Sequence, residues 1–134
     1  MENQPEVEKL LAMERVAVVG ASQDPSRPGN FVPAYLQLHG RTLLPVNPKY
    51  QRVLDVTCYA SLAEVPGPID LVVVFRRPEA CADVARAAVE AGAAGVWLQS
   101  GIVNEEARQI ATATGLLFVQ DRCMMQELER IREA

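Results

Sequence analysis

The sequence contains the stretch Arg15-Val16-Ala17-Val18-Val19-Gly20-Ala21-Ser22, an apolar, mostly β-branched run that stops at a glycine. A run this short and this apolar is typical of a strand that is buried on both faces of a parallel sheet. Similar runs recur along the 134 residues and predict further strands. These strands cover residues 42–46, 70–75, 95–99 and 116–119.

Amphipathic segments between these runs predict helices. The predicted helices cover residues 5–12, 30–40, 78–91, 104–114 and 121–132. Asn30 and Asn104 begin two of these helices, and asparagine commonly caps helix amino termini. Residues 53–59 predict a weak strand, and residues 61–65 predict a single helical turn.

Strands of four to six residues alternate with helices of about a dozen, which implies right-handed crossovers and a parallel sheet covered on both sides. The expected fold is a three-layer, doubly wound, Rossmann-like α/β domain with a mainly parallel sheet of five to six strands. We expect residues 1–134 to form a single domain. Residues 1–14 would supply an amino-terminal docking helix and residues 121–134 a carboxyl-terminal helix.

A doubly wound sheet also predicts where a ligand binds. Ligands collect at the carboxyl ends of the strands, where the winding direction reverses. If the first strand is central, the reversal lies between the strands that end at Val19 and Phe75. The loops of residues 20–29 and 76–78 should therefore share one crevice.

The turn Gly20-Ala21-Ser22 occupies the position where dinucleotide-binding folds hold phosphates. Glycine permits a sharp turn and a close backbone approach, and amide donors favour negative charge. The next glycine is Gly29, so the motif is not Gly-x-Gly-x-x-Gly and a standard NAD interpretation is weakened. Arg27 and Asn30, at the end of this extended loop, join the candidate binding residues. Alternatively, the two glycines only shape the turn.

An NAD site usually has an acidic residue after the second strand, where it binds the ribose hydroxyls. This sequence has a cationic residue there instead. The residues there are Asn47-Pro48-Lys49, and Lys49 is one of two lysines among 13 cationic residues. A lysine suits a phosphorylated ribose, although a solvated surface lysine is the plain alternative. Arg76-Arg77 adds cations that can grip a diphosphate or cover an adenine, or can pair with Glu79 or Asp83.

No pattern supplies an evident catalytic group. The single histidine, His39, stands in the last turn of a helix, where partial burial or the helix dipole explains it. Cys123, in Asp121-Arg122-Cys123, is either a thiol activated by Arg122 and a helix amino terminus or a small core residue. Glu105-Glu106 complements the dipole at a helix start and is no hydrolytic pair.

Composition and charge exclude several classes of protein. The chain is 49% hydrophobic and 22% charged, which fits a globular protein and not a disordered one. A net charge of −4 without a basic cluster disfavours nucleic-acid binding. Three widely spaced cysteines indicate neither a disulfide framework nor a metal site. Without a signal peptide or an apolar run of about 20 residues, we expect a cytoplasmic protein that does not bind a membrane.

Five segments together resemble one family, the stand-alone coenzyme A-binding proteins. The resemblance covers nearly the whole chain between residues 16 and 123. The segments are Val19-Gly20-Ala21-Ser22, Pro45-Val46-Asn47-Pro48, Asp70-Leu71-Val72-Val73-Val74-Phe75, Val96-Trp97-Leu98-Gln99-Ser100-Gly101-Ile102 and Asp121-Arg122-Cys123. The domain is also similar to the nucleotide-binding domain of the succinyl-CoA synthetase α subunit and of ADP-forming acyl-CoA synthetases.

The resemblance implies a Rossmann-like domain that binds coenzyme A (CoA) or acyl-CoA. It implies phosphates at the turn Gly20-Ala21-Ser22 and the ribose phosphate near Lys49. It also implies an adenine near Val46 and Phe75, at the ends of the second and fourth strands. The synthetases phosphorylate a histidine of a following domain and use a separate nucleotide-grasp subunit. His39 matches no such position, so their ligase activity is not implied here.

We therefore expect a CoA- or acyl-CoA-binding protein that is non-catalytic on its own. The expected ligand-binding residues are Gly20, Ala21, Ser22, Arg27, Asn30, Val46, Asn47, Lys49, Phe75 and Arg76. One alternative is a small NADP-dependent or acyl-transfer enzyme that uses Cys123 or a partner. Another is a module in which CoA alters a surface that binds a partner protein. The sequence leaves open whether a protein partner or a homodimer exists.

Overall fold

Parallel strands form the centre of the computed structural model, which describes residues 4–133. The strands are β1 (Arg15–Val19), β2 (Thr42–Val46), β3 (Arg52–Val53), β4 (Val56–Thr57), β5 (Leu71–Val74), β6 (Gly95–Leu98) and β7 (Leu117–Val119). Five of them form one sheet in the order β2-β1-β5-β6-β7, and every neighbouring pair is parallel. The predicted parallel sheet is confirmed.

Helices cover both faces of this sheet. They are α1 (Gln4–Leu11), α2 (Pro28–Leu38), α3 (Cys81–Glu90), α4 (Glu105–Ala113) and α5 (Met124–Glu133). Side chains alternate along a strand, so Val16 and Val18 pack with α1, α2 and α5, whereas Ala17 and Val19 pack with α3 and α4. All four are buried. The fold is therefore the expected three-layer, Rossmann-like α/β arrangement, and none of its helices within residues 4–133 is long and apolar enough to cross a membrane.

The winding direction reverses between β1 and β5, as predicted. The chain passes from β1 to β2 on one side, and then crosses over to place β5 on the other side of β1. The register pairs Val19 with Val46 and with Val74, so the carboxyl ends of β1, β2 and β5 lie side by side. The loops that leave these three strands therefore open at one edge of the sheet.

The first helix is part of the core. Val7, Leu10 and Leu11 of α1 are buried against the sheet face that also carries α2 and α5. Leu10 reaches Gly95 on β6, where a Cβ atom would collide with its side chain. The described part of the expected docking helix is thus packed in place, and residues 1–3 of that prediction lie outside the described residues.

Residues 53–59 are not the single strand that the sequence predicts. They belong to a separate antiparallel hairpin of β3 and β4, which pairs Arg52 with Thr57. Leu54 and Asp55 at its tip have φ values of 52° and 64°. Two positive φ values are the mark of a tight hairpin turn, and glycine, asparagine or aspartate usually provides them. Asp55 fits this pattern but Leu54 does not, so the turn signal in the sequence is weak. The predicted turn at residues 61–65 is a short 3-10 helix, Leu62–Glu64.

Three helix starts differ from the prediction by two or three residues. Residues 78–80 form a short 3-10 helix, so α3 begins at Cys81 and not at Pro78. Helix α2 begins at Pro28, since a proline is acceptable in a first helical turn, and Asn30 therefore lies inside the helix.

Helix α5 begins at Met124 and not at residue 121, because Asp121 has a φ of 57° and its carboxylate accepts a hydrogen bond from the Gly101 N–H. The Trp97 Nε1–H donates to the Arg122 carbonyl and holds the same loop. Ala134 lies outside the described residues.

Shortening Leu10 tests whether α1 contributes to the core. We expect Leu10→Ala to lower the free energy of unfolding by about 2–5 kcal/mol, because it leaves a cavity against Gly95. Lys9→Ala is the matched control on the same helix, where the side chain is exposed, and should change stability by less than about 0.5 kcal/mol. Urea denaturation measures both. Equal stability of the two variants would contradict the packing of α1.

Candidate functional site

Two glycines allow the loop after β1 to fold tightly against the end of β5. Gly20 has a φ of 89°, and a Cβ atom there would lie 2.5 Å from the Phe75 carbonyl oxygen. A Cβ atom on Gly29 would lie 2.7 Å from the Gly20 carbonyl oxygen. Side chains at these positions would collide with backbone. The loops of residues 20–29 and 76–78 consequently meet in one crevice, as the sequence predicts.

Two asparagine side chains brace this loop. The Asn47 Nδ2 donates to the Ala21 carbonyl, and the Asn30 Nδ2 donates to the Ser22 carbonyl, both at 2.8 Å. The prediction that Asn30 caps a helix is wrong, because the cap position is Arg27 and the Asn30 amide holds the loop instead. Asn30 is buried and lies behind the loop, so its place in the fold is that of a positioning residue.

Some polar groups of this loop already have a hydrogen-bond partner in the described part of the protein, and another has none. The Ser22 N–H donates to the Gly29 carbonyl, and the Ser22 Oγ accepts from the Asp24 N–H at 3.0 Å. Among residues 4–133, the Ala21 N–H has no protein acceptor. A shallow cleft of about 410 Å³ lies at this point and is lined by Gly20, Ala21, Ser22 and Lys49, among others. Ala21, whose N–H is unpaired within the described chain, and Lys49 thus border the same small space, together with Asp24.

A larger cleft of about 550 Å³, the α3-side cleft, opens on the sheet face that carries α3. Its lining includes Val19, Gly20, Val46, Asn47, Lys49, Leu62, Arg76 and Val84. The Lys49 N–H donates to the Asn47 Oδ1 at 2.9 Å, which fixes the backbone that carries the ammonium group. In the part of the chain that the structure describes, neither Lys49 nor Arg76 is within salt-bridge distance of a carboxylate.

A second cleft of about 410 Å³, the α5-side cleft, opens on the opposite sheet face. Its lining includes Gly20, Ser22, Arg27, Phe31, Phe75, Arg76, Gln99, Ile102, Cys123 and Met125. Gly20 and Arg76 line both large clefts, so the two meet at the turn after β1. Val46 and Phe75, which the family resemblance places near an adenine, line different clefts.

Several lining residues are not evident in the sequence. Leu62 and Val84 in the α3-side cleft, and Phe31 and Met125 in the α5-side cleft, lie on helices or on a helical turn. Apolar residues at helical spacing indicate a core face, and nothing in that spacing shows which of them stops at a cleft wall. Phe31 differs from a core residue in its exposure, since 39% of this large residue is exposed in the structure.

Arg27 lies at the exposed side of the α5-side cleft, whereas His39, Cys58 and Cys81 lie outside both large clefts or are buried. Arg27 is exposed and lies 3.8 Å from the carboxylate of Asp24, whose pKa is held below its usual value mainly by the Ser26 N–H. His39 packs its ring against Tyr35, with 4.3 Å between the ring centroids, and lines neither large cleft. Burial raises the pKa of the Cys58 and Cys81 thiols. Neither of these buried thiols is suited to act as a nucleophile.

Residues 14–129 match the family model of the CoA binding domain. The chain belongs to this family. The resemblance that the five sequence segments predict is therefore confirmed.

Other proteins share this CoA-binding domain. Protein YneT of Bacillus subtilis is 41% identical over 117 residues, which cover 87% of each chain. A solved structure of a hypothetical protein from Pyrococcus horikoshii has a TM-score of 0.93 and 38% identity, and covers 98% of this chain and 93% of that one. The ADP-forming acetate–CoA ligase I of Archaeoglobus fulgidus is 28% identical over 128 residues, which are 88% of this chain and 19% of the ligase.

An alanine at residue 20 tests the tight turn. We expect Gly20→Ala to lower the free energy of unfolding by about 1–3 kcal/mol, because it combines a strained φ with a collision against the Phe75 carbonyl. Gly40→Ala is a matched control, since Gly40 has a φ of 91° with nothing within 4 Å of its Cβ position. Urea denaturation should show a smaller loss for Gly40→Ala. Equal losses would mean that strain in φ alone, and not the close approach of β1 to β5, makes the glycine necessary.

Proposed function

We propose that the chain is a single CoA-binding domain that holds CoA or acyl-CoA as a ligand, without turnover of its own, in the cytoplasm. The observation that carries this proposal is the position of two cations. Lys49 and Arg76 reach the same cleft from different strand ends, and neither has a carboxylate partner within residues 4–133. In a chain with a net charge of −4, such a pair favours an anionic ligand.

The shape of the crevice fits a long ligand with a charged middle. Two clefts on opposite sheet faces meet at Gly20 and Arg76. CoA has a nucleoside at one end, a diphosphate in the middle and an apolar-to-amide arm at the other end. In the proposed orientation the diphosphate lies at the Gly20 turn, where the Ala21 N–H and the Arg76 guanidinium can bind its oxygens.

The nucleoside then occupies the α3-side cleft. Val46, Leu62 and Val84 supply apolar surface for an adenine there, and Lys49 stands at the rim of the same cleft. An ammonium at that position suits the ribose 3′-phosphate of CoA, because a compact cation pairs with a phosphate dianion. Asn47 holds the Lys49 backbone and the Ala21 carbonyl at once, so it links the phosphate turn to the residue that would bind the ribose phosphate.

Removal of the Lys49 charge tests this assignment. We expect Lys49→Ala to weaken CoA binding by roughly 1.5–3 kcal/mol, which is about 10- to 150-fold, because a charge-assisted hydrogen bond is lost. Binding of dephospho-CoA, which lacks the 3′-phosphate, should change much less. Isothermal titration calorimetry measures both ligands.

The chain offers its own control for this experiment. Lys9 is the other lysine, is exposed on α1 and lines none of the clefts around the Gly20 turn, so Lys9→Ala should leave both affinities unchanged. Equal binding of CoA and dephospho-CoA by the unaltered protein would refute the role of Lys49. Tighter binding of NADP than of CoA in the same titrations would favour an NADP-dependent protein.

A further inference from the structure

A buried amide at the far end of the α5-side cleft lacks a partner. Gln99 follows β6 and is 4% exposed, and its Oε1 accepts a hydrogen bond from the Met124 N–H at 3.3 Å. Within the described residues, its Nε2 is buried and makes no hydrogen bond. A buried donor that has no acceptor is unfavourable, and such groups commonly mark a place where a ligand binds.

The position of this amide points to the cleft. Gln99, Cys123 and Met125 all line the α5-side cleft, and the bond to the Met124 N–H holds the Gln99 side chain against the start of α5. Gln99, whose Nε2 is unpaired within the described residues, and Cys123 therefore lie at the same end of the cleft. Gly20 and Ser22 form its other end, at the phosphate turn.

Strand spacing gives the distance between these two ends. Neighbouring strands lie about 4.8 Å apart, and β6 is the second strand from β1 in the order β1-β5-β6-β7. The loop after β6, with Gln99, thus lies roughly 10 Å from the Gly20 turn. Cys123 lies beside Gln99, because the Arg122 carbonyl accepts from the Trp97 Nε1–H and the Met124 N–H donates to the Gln99 Oε1.

The arm of CoA has matching dimensions. An extended chain advances by about 1.2 Å per bond, since three backbone bonds span about 3.5 Å. The carbonyl of the second amide is about eight bonds from the phosphate oxygen and the sulfur about twelve, which gives roughly 10 Å and 14 Å. The amide carbonyl can therefore accept from the Gln99 Nε2, while the sulfur end reaches Cys123.

We propose that Cys123 accepts the acyl group of a bound acyl-CoA. The inference rests on the proposed CoA site. The Cys123 Sγ forms a bond to the thioester carbonyl carbon, and the bond between that carbon and the CoA sulfur breaks. The thiol proton of Cys123 passes to the departing CoA thiolate, so the products are S-acyl-Cys123 and free CoA. One thioester replaces another, and no oxidant or reductant is needed.

The structure distinguishes Cys123 from the other cysteines. Cys58 and Cys81 are buried, whereas Cys123 is half-buried and lines the α5-side cleft. Cys123 directly precedes α5, and its carbonyl accepts from the Glu127 N–H, so the first turn of the helix holds its backbone. It is therefore the one cysteine of the chain that a ligand in this cleft can reach.

Intact-protein mass spectrometry with acetyl-CoA tests the proposal. We expect the unaltered protein to gain one acetyl group, which peptide mapping places on Cys123 and which hydroxylamine removes at neutral pH. The Cys123→Ser variant should gain none under the same conditions. Acetyl-N-acetylcysteamine, which carries the same thioester without the nucleotide, should react at least tenfold more slowly at equal concentration. Equal rates for the two thioesters, or acetylation of Cys58 or Cys81 instead, would overturn the proposal.

A second variant tests the role of the amide as a positioning group. We expect Gln99→Leu to weaken CoA binding about tenfold and to leave binding of adenosine 3′,5′-bisphosphate, which lacks the arm, unchanged. An equal loss for both ligands would show that Gln99 only supports the fold and would remove the observation on which the proposal stands. If CoA fails to bind at all, the proposed function fails. If CoA binds and Cys123 stays unmodified, the acyl transfer alone fails.

Discussion

The close approach of the end of β1 to the end of β5 is the constraint on which the site depends. It requires the absence of a side chain at Gly20, because a Cβ atom there would lie 2.5 Å from the Phe75 carbonyl oxygen. The chain can then turn under the β5 loop and bring Arg76 beside the turn. Both large clefts contain Gly20 and Arg76, so this single contact joins the two faces of the sheet at one point.

The positive charges near this contact are opposite in sign to the net charge of the chain. The net charge of −4 repels anions, but salt screens this repulsion at distances beyond about 8–10 Å at physiological ionic strength. Lys49 and Arg76 act within that distance of a ligand in the α3-side cleft. A ligand with its phosphates at the cleft therefore experiences the two cations and the Ala21 N–H more strongly than the acidic surface elsewhere.

The strands and the binding edge of the sheet could be predicted from the hydrophobic pattern of the sequence. The hydrogen-bond partners of individual side chains could not. Buried parallel strands such as β5, and β1 after Arg15, are apolar at every position, and that pattern predicts both the strands and the edge where their loops meet. The role of Asn30 could not be predicted, because a helix cap and a brace for a neighbouring loop use the same side chain. The sequence also did not show that Val46 and Phe75 line different clefts. Val46 is level with Val74 across β1, and side chains alternate along a strand, so Phe75, one residue further on, meets the opposite face of the sheet.

Asn47 connects the turn after β1 to the loop that carries Lys49. Its Nδ2 donates to the Ala21 carbonyl at 2.8 Å, while its Oδ1 accepts from the Lys49 N–H. An aspartate at this position, the kind of acid that binds ribose hydroxyls in NAD sites, has no N–H to donate and would place two acceptors 2.8 Å apart. The Gly20 turn would lose its brace at the same time as the cleft gained a negative charge. The neutral amide and the lysine two residues later are thus coupled, and in the proposed CoA site both disfavour a free ribose and favour a phosphorylated one.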